Sequence, residues 1–174
     1  AGAGPNLGDE TEAAAAADRV TAASSATKTL RDAGVTVDLA VTDLDGTPEY
    51  LAAASHEGLP VTVHAHGDNV DALERWVSEF AADRLLPTTQ AAPTAHVRNF
   101  GGFTDGDRAA FLADALGAAE LRFVGWQFDG SDVGEMKAKK LRWAARLLYW
   151  LETRRGERFA VLDGLREKLT LPSE

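Results

Sequence analysis

VTVDLAVTDLDG, residues 35–46, is a mostly apolar run rich in β-branched residues that ends in two acids and a glycine. That composition predicts a strand over 35–42, stopped by DLDGTP. The next apolar run, PVTVHA at 60–65, predicts a second strand, and it too ends in polar residues, HAHGDN at 64–69. Between the two, residues 48–57 read as a short helix closed by Gly58. A strand, a helix and a strand in succession are the unit of a parallel sheet.

Working outward, residues 10–32 are Ala-rich and free of breakers, which predicts one helix ending at Gly34. Val70, Leu73, Val77 and Phe80 recur at helical spacing, so a helix is expected over 70–82, then a short strand near 84–88. A polar connection fills 89–104. Thr104 stands three residues before Asp107, a capping-box pattern that opens a helix to about Leu116. LRFVGW at 121–126 predicts another strand, residues 135–155 a long helix, and residues 160–168 a short one. The whole is an α/β fold with a mainly parallel sheet and helices on both faces, Rossmann-like, over a single domain spanning 1–174. AGAGPN at 1–6 reads as a turn that follows a strand, so the first strand is expected to be missing and the chain to be truncated at its N-terminus.

In such sheets ligands bind beyond the carboxyl ends of the strands, which is where the polar motifs fall. Asp43 and Asp45 flank Leu44; an extended chain would turn both carboxylates to one side, where they repel unless a cation or proton lies between them. Mg²⁺ suits them, because it favours carboxylates together with phosphate oxygens. The same residues also suit a plain turn. His64 and His66, two of the chain's 4 histidines, would share a face of their strand. They could ligate zinc, but the neighbouring acids favour a hard ion. The preferred reading has them hydrogen-bonding phosphate or acceptor while Asp68 joins the acidic group.

In NFGGFTDGDRA, residues 99–109, Gly101, Gly102 and Gly106 permit close backbone approach, and Thr104, Asp105 and Asp107 crowd a helix start. Acids there also suit the helix dipole without any ligand. Arg108 could contact phosphate or pair with Asp105 or Asp107. Lys137 and Lys140 share a helical face and could reach a triphosphate, or form a solvated helix end. Gly2, Gly4 and Asn6 could bring backbone amides to a phosphate, or form a simple strand-to-helix turn.

A net charge of −9 argues against nucleic acid and anionic membrane as partners. No apolar run approaches the length of a membrane span. With Cys 0, disulfides and thiolate metal sites are excluded, and a cytoplasmic location is the default expectation. The acidic, Lys-poor composition suits a salt-loving organism, although a GC-rich genome gives a similar bias. The 135–155 helix is apolar on more than one face, so a homodimer through it is considered.

Taken in order, GAGPNL, TDLDG, HAHGDN, NFGGFTDGDRA and KAKKL resemble the archaeal 6-hydroxymethyl-7,8-dihydropterin pyrophosphokinases of the MptE type, from residue 2 to about 148. That family is similar in fold to thiamin pyrophosphokinases. The resemblance implies transfer of diphosphate from ATP to the hydroxymethyl group of the reduced pterin, with release of AMP and a requirement for Mg²⁺, in folate or tetrahydromethanopterin synthesis. It implies Mg²⁺ on Asp43 and Asp45, with Asp68 or Asp105 as a further carboxylate. Gly2, Gly4 and Asn6 would line the nucleotide, with Gly101, Gly102 and Thr104 also at the cofactor site. Arg108, Lys137 and Lys140 would meet the triphosphate, and His64, His66, Asn69 and Gln90 would orient phosphate or pterin. Trp126 and Asp129 are the candidates for the pterin slot. The competing readings are a thiamin-type pyrophosphokinase, a non-catalytic nucleotide-binding module, and a zinc hydrolase built on His64 and His66.

Overall fold

The computed structural model describes residues 1–128 and 134–171. Its centre is a four-stranded parallel sheet in the order β1 (Thr21–Ala23), β2 (Leu39–Thr42), β3 (Val61–Ala65), β4 (Leu85–Thr89). Neighbours in sequence are neighbours in the sheet, and α2 (Ala26–Asp32), α3 (Pro48–His56) and α4 (Val70–Trp76) make the crossovers. The register sets Ala40 beside Val61 and Val63 beside Pro87.

Alternation along the strands separates two cores. On one face Ala22, Ala40, Val61 and Val63 are buried with Leu30 of α2 and with Leu51 and Ala54 of α3. On the other, Val41 packs on Ala109 and Leu112 of α5 (Asp105–Ala115), alongside the partly buried Leu39 and Leu86. Helices therefore cover both faces, as expected for an α/β fold. A further cluster joins Ala110 and Phe111 of α5 to Ala145, Leu148 and Leu151 of α6 (Glu135–Arg155), closed by Phe159 and Leu162. No helix among the described residues is long and apolar enough to cross a membrane.

The 10–32 expectation needs correction. The chain makes a 3-10 turn at Pro5–Glu10, a short α1 (Thr11–Ala15), then β1, then α2. Alanine favours helices in isolation, but here Ala22 and Ala23 are fully enclosed in the sheet, and tertiary burial overrides a weak local preference. Residues 35–38 precede β2 rather than belong to it: Asp38 is occupied in accepting from the Val20 amide (2.8 Å) and from Arg19. The 70–82 helix ends as α4 at Trp76 and continues as a 3-10 turn, Val77–Glu79. The tail holds two 3-10 turns, Ala160–Leu162 and Arg166–Lys168, in place of one helix.

Residues 121–126 form no ladder strand. They lie against the start of the chain through Gly2 N to Val124 O (2.8 Å) and Gly4 N to Gly125 O (2.7 Å). The Gly125 amide is taken by the Glu10 carboxylate at 2.6 Å, which interrupts any further pairing. On its other side the start of the chain meets β1: the Ala1 nitrogen donates to Thr21 O (2.6 Å), and Ala23 N donates to Ala1 O (3.0 Å).

Candidate active site

The carboxyl ends of β2 and β3 and the amino end of α5 converge. After Thr42 the chain does not stay extended. Leu44 takes a left-handed conformation (φ 72°), which buries its side chain in the core. The turn is held by Leu44 N to Thr42 Oγ1 (2.9 Å) and Asp45 N to Asp43 Oδ1 (3.2 Å). Asp43 and Asp45 are thus aimed by a strained turn rather than by strand alternation. Asp105, the first residue of α5, completes the group: one carboxylate oxygen from each of the three lies within 4.8 Å of the others. The Asp43 amide points to Asp105 Oδ2 at 3.4 Å.

Three carboxylates this close cannot all ionise freely. Burial, then the charges of Asp43 and Asp45, hold Asp105 well above the usual carboxylate range. Asp45 is raised as well, first by burial and then by Asp43, while the Ser24 hydroxyl and then Lys140 draw it back down. Asp105 Oδ1 is buried and accepts no hydrogen bond; Arg108 Nη1 lies 3.9 Å from it. An acidic group with a spare buried oxygen has the chemistry to hold a divalent cation with oxygen preference.

Capping explains how α5 arrives there. Thr104 N donates to Asp107 Oδ1 (2.8 Å), and Phe103 N donates to Asp107 Oδ2 (2.6 Å), so the expected capping box is present. Asp107 is fully buried, and both of its carboxylate oxygens accept hydrogen bonds as a cap. Gly102 has φ 88°, and a Cβ there would lie 2.7 Å from the Arg108 backbone; the glycine lets the loop lie on α5. Gly101 is also left-handed, and its Cβ would meet the Phe111 ring.

HGDN works as a fastening. Asn69 Nδ2 donates to Asp43 O (2.8 Å) and to His64 O (2.7 Å), and its Oδ1 accepts from His66 N (3.1 Å). One side chain thereby ties the end of β2 to the end of β3. Gln90 Nε2 adds β4 by donating to His66 O at 3.1 Å. His66 turns Nε2 toward Asp43 Oδ2 at 3.4 Å. His64 and His66 share a face, with ring centroids 6.3 Å apart, but His64 is buried and its Nδ1 meets Thr88 Oγ1 at 3.0 Å. Burial, then the charge of Arg108, pulls its pKa down to about 4. Asp68 is exposed and stands outside the three-carboxylate group.

Gly2 and Gly4 pack on the 124–126 segment. A Cβ on either would lie 2.6 Å from Gly125 O, and both amides are already bonded. Asn6 Nδ2 donates to Glu10 (2.9 Å) and toward Trp126 O (3.4 Å), while its Oδ1 is buried without a partner. Trp126 lies over Gly106, whose added Cβ would come 2.6 Å from the indole, and it meets the rings of Phe123 and Phe128. Lys137 and Lys140 are exposed near the start of α6. Asp129 lies outside the described residues.

Ser24 is a neighbour of the site that sequence reasoning missed. It follows β1 with φ 43°, and its Oγ donates to Asp45 O at 3.1 Å. The two left-handed non-glycine residues among those described, Ser24 and Leu44, thus both brace the Asp43–Asp45 turn. The missed strand hid it; the only cue was the pair of serines after TAA.

Residues 1–132 match the family described as 6-hydroxymethylpterin diphosphokinase MptE-like. The chain belongs to this family. A Pyrococcus furiosus protein named 6-hydroxymethyl-7,8-dihydropterin pyrophosphokinase is 45% identical over 165 residues, covering 87% of this chain and 70% of that protein. Proteins of the same name from Methanothermobacter thermautotrophicus and Methanocaldococcus jannaschii are 40% and 33% identical, over 87% and 75% of this chain and 72% and 61% of theirs. The MptE-like family is the one that the order of motifs resembles, and the match takes in β1–β4, α5 and the whole three-carboxylate group.

Proposed function

We propose that this protein transfers a diphosphate group from ATP to the hydroxymethyl group of 6-hydroxymethyl-7,8-dihydropterin. The observation that carries the reading is the Asp43–Asp45–Asp105 group at the carboxyl edge of the sheet, in a chain whose relatives bear the name of that activity. The alcohol oxygen attacks the β-phosphorus and releases its proton to solvent water. The bond from that phosphorus to the bridging oxygen breaks, and AMP leaves with the oxygen. Mg²⁺ held by Asp43, Asp45 and Asp105 would neutralise charge on the phosphates as it develops.

The chain's own groups do the positioning. Asn69 and Gln90 hold the strand ends in register, so that the carboxylates and His66 keep one geometry. Arg108 sits behind Asp105 as a buried countercharge and supports the phosphates from there. Lys137 and Lys140 approach from α6 and meet the triphosphate. Gly101, Gly102 and Thr104 set the loop and cap that deliver Asp105, and Gly2, Gly4 and Asn6 form the neighbouring wall on the nucleotide side. Trp126 offers an aromatic face for the pterin ring. The product serves folate or tetrahydromethanopterin synthesis, the protein works in the cytoplasm, and a homodimer forms through α6.

The test is AMP release by the full chain with Mg²⁺-ATP and either hydroxymethyl-dihydropterin or thiamin. Release that depends on the pterin is expected. Release with thiamin alone points to a thiamin-type enzyme and sinks the assignment.

A further inference from the structure

Behind the carboxylate group, between β3 and α5, lies a cavity of about 10 Å³ lined by Val41, Thr62, His64, Thr88, Arg108 and Leu112, and bordered by Phe100 and Gly101. Three buried polar atoms of its lining residues make no hydrogen bond: Thr62 Oγ1, His64 Nε2 and Arg108 Nε. Their residues are 2%, 3% and 6% exposed, so bulk solvent does not satisfy these atoms. Leaving even one such group unpaired in a protein interior is costly, and three around one cavity call for a common partner.

The hydrogen-bond sense around His64 defines that partner. Thr88 Oγ1 lies 3.2 Å from Val63 O and 3.0 Å from His64 Nδ1, and we assign its one proton to the carbonyl. Toward His64 Nδ1, 3.0 Å away, the same oxygen can then only accept. With that assignment His64 carries its proton on Nδ1, and Nε2 presents a lone pair. Arg108 Nε presents an N–H. The Thr62 hydroxyl can donate or accept. A molecule that accepts once, donates once and makes a third bond of either sense satisfies all three.

We propose that the cavity binds a single ordered water, which accepts from Arg108 Nε, donates to His64 Nε2 and bonds Thr62 Oγ1. Its size is near the least that holds a water, and three partners is the usual number for a buried one. The water makes a hydrated joint between β3 and α5, and it engages His64 from the side opposite Thr88. Both ring nitrogens are then used inside the protein, and His64 is a framework group rather than a contact for substrate. The inference does not depend on which alcohol the enzyme accepts.

Two measurements on the full chain test it. Nitrogen-15 NMR of the wild-type protein at neutral pH should find His64 protonated on Nδ1 and bare on Nε2; a proton on Nε2 overturns the scheme. Thr62→Val keeps the shape and removes the hydroxyl. With the water in place this strips one of its partners, and the melting temperature should fall by about 2–4 °C. In a dry cavity the same change removes an unpaired hydroxyl and adds strand propensity, so an unchanged or raised melting temperature overturns the proposal. Should Thr62→Val fail to fold, the wild-type NMR still decides through magnetisation transfer between a long-lived water and the His64 ring: its presence supports the water, and its absence overturns the proposal.

Discussion

Two glycine-and-polar regions of this protein look alike as sequence and differ in what their polar groups do. In AGAGPN the Gly2 and Gly4 amides are bonded to the carbonyls of Val124 and Gly125, and the glycines are bare because that segment lies against them. In TDLDG and GGFTDGD the backbone bonds close a turn and a cap, and three carboxylates are left facing one another. The first region is a seam that holds the fold, and the second leaves its charge unbalanced. A motif's residue types do not say which of these it is; the bonding state of each donor and acceptor does.

Substitutions should separate the two regions. Asp43→Ala and Asp45→Ala should each lower kcat/KM for AMP release by about 100- to 1,000-fold; Asp45→Ala should leave the melting temperature equal or higher, because a like-charge repulsion is removed, whereas Asp43→Ala should lower it slightly by taking away the acceptor of the Asp45 amide. Activity retained at high Mg²⁺ in both variants would undo the cation assignment. Gly125→Ala should do the reverse. Its Cβ would lie 2.2 Å from Gly2 O at φ 68°, so unfolding in urea should show a loss of about 2–4 kcal/mol. Stability unchanged by that alanine would mean that the seam is not a close contact.

The pH response sharpens the contrast further. Asp105 and Asp45 have raised pKa values, Asp105 the more strongly, so the metal-free fold keeps their protons above the range where the unfolded chain has lost them. That contribution to stability is present in acid and is lost as pH rises through their folded values. A bound cation reverses the preference in favour of the ionised carboxylates. The gain in melting temperature from Mg²⁺ should therefore grow from mildly acidic to mildly alkaline buffer; a gain independent of pH would show that the ion binds elsewhere. Smallest of all, Asp68→Asn should change kcat/KM by less than about twofold, as expected for an exposed charge outside the group. A loss matching that of Asp43→Ala would bring Asp68 back into the site.

Much of the framework was legible in the chain. β2, β3, α3, α5 and α6 stand out by apolar pattern and by their stops, and α5 also by its Thr104–Asp107 cap. β1 was not legible, because Thr21, Ala22 and Ala23 sit in an Ala-rich run and become a strand only through enclosure between neighbours. Residues 121–126 have strand composition but lack a ladder, since Glu10 takes the Gly125 amide from a distant part of the sequence. The candidate site divides in the same way. Asp43, Asp45 and Asp105 are visible as acids at a strand end and a helix start. The parts of Ser24, Asn69 and Gln90 depend on which strand ends lie side by side, and that is a property of the assembled sheet.

The central claim is that Asp43, Asp45 and Asp105 form one cation site. Calorimetric titration of Mg²⁺ into the full chain, beside Asp105→Asn, tests it most directly. Wild-type protein should bind with proton release, and the folded variant should lose most of that affinity. Equal binding by both proteins would contradict the account.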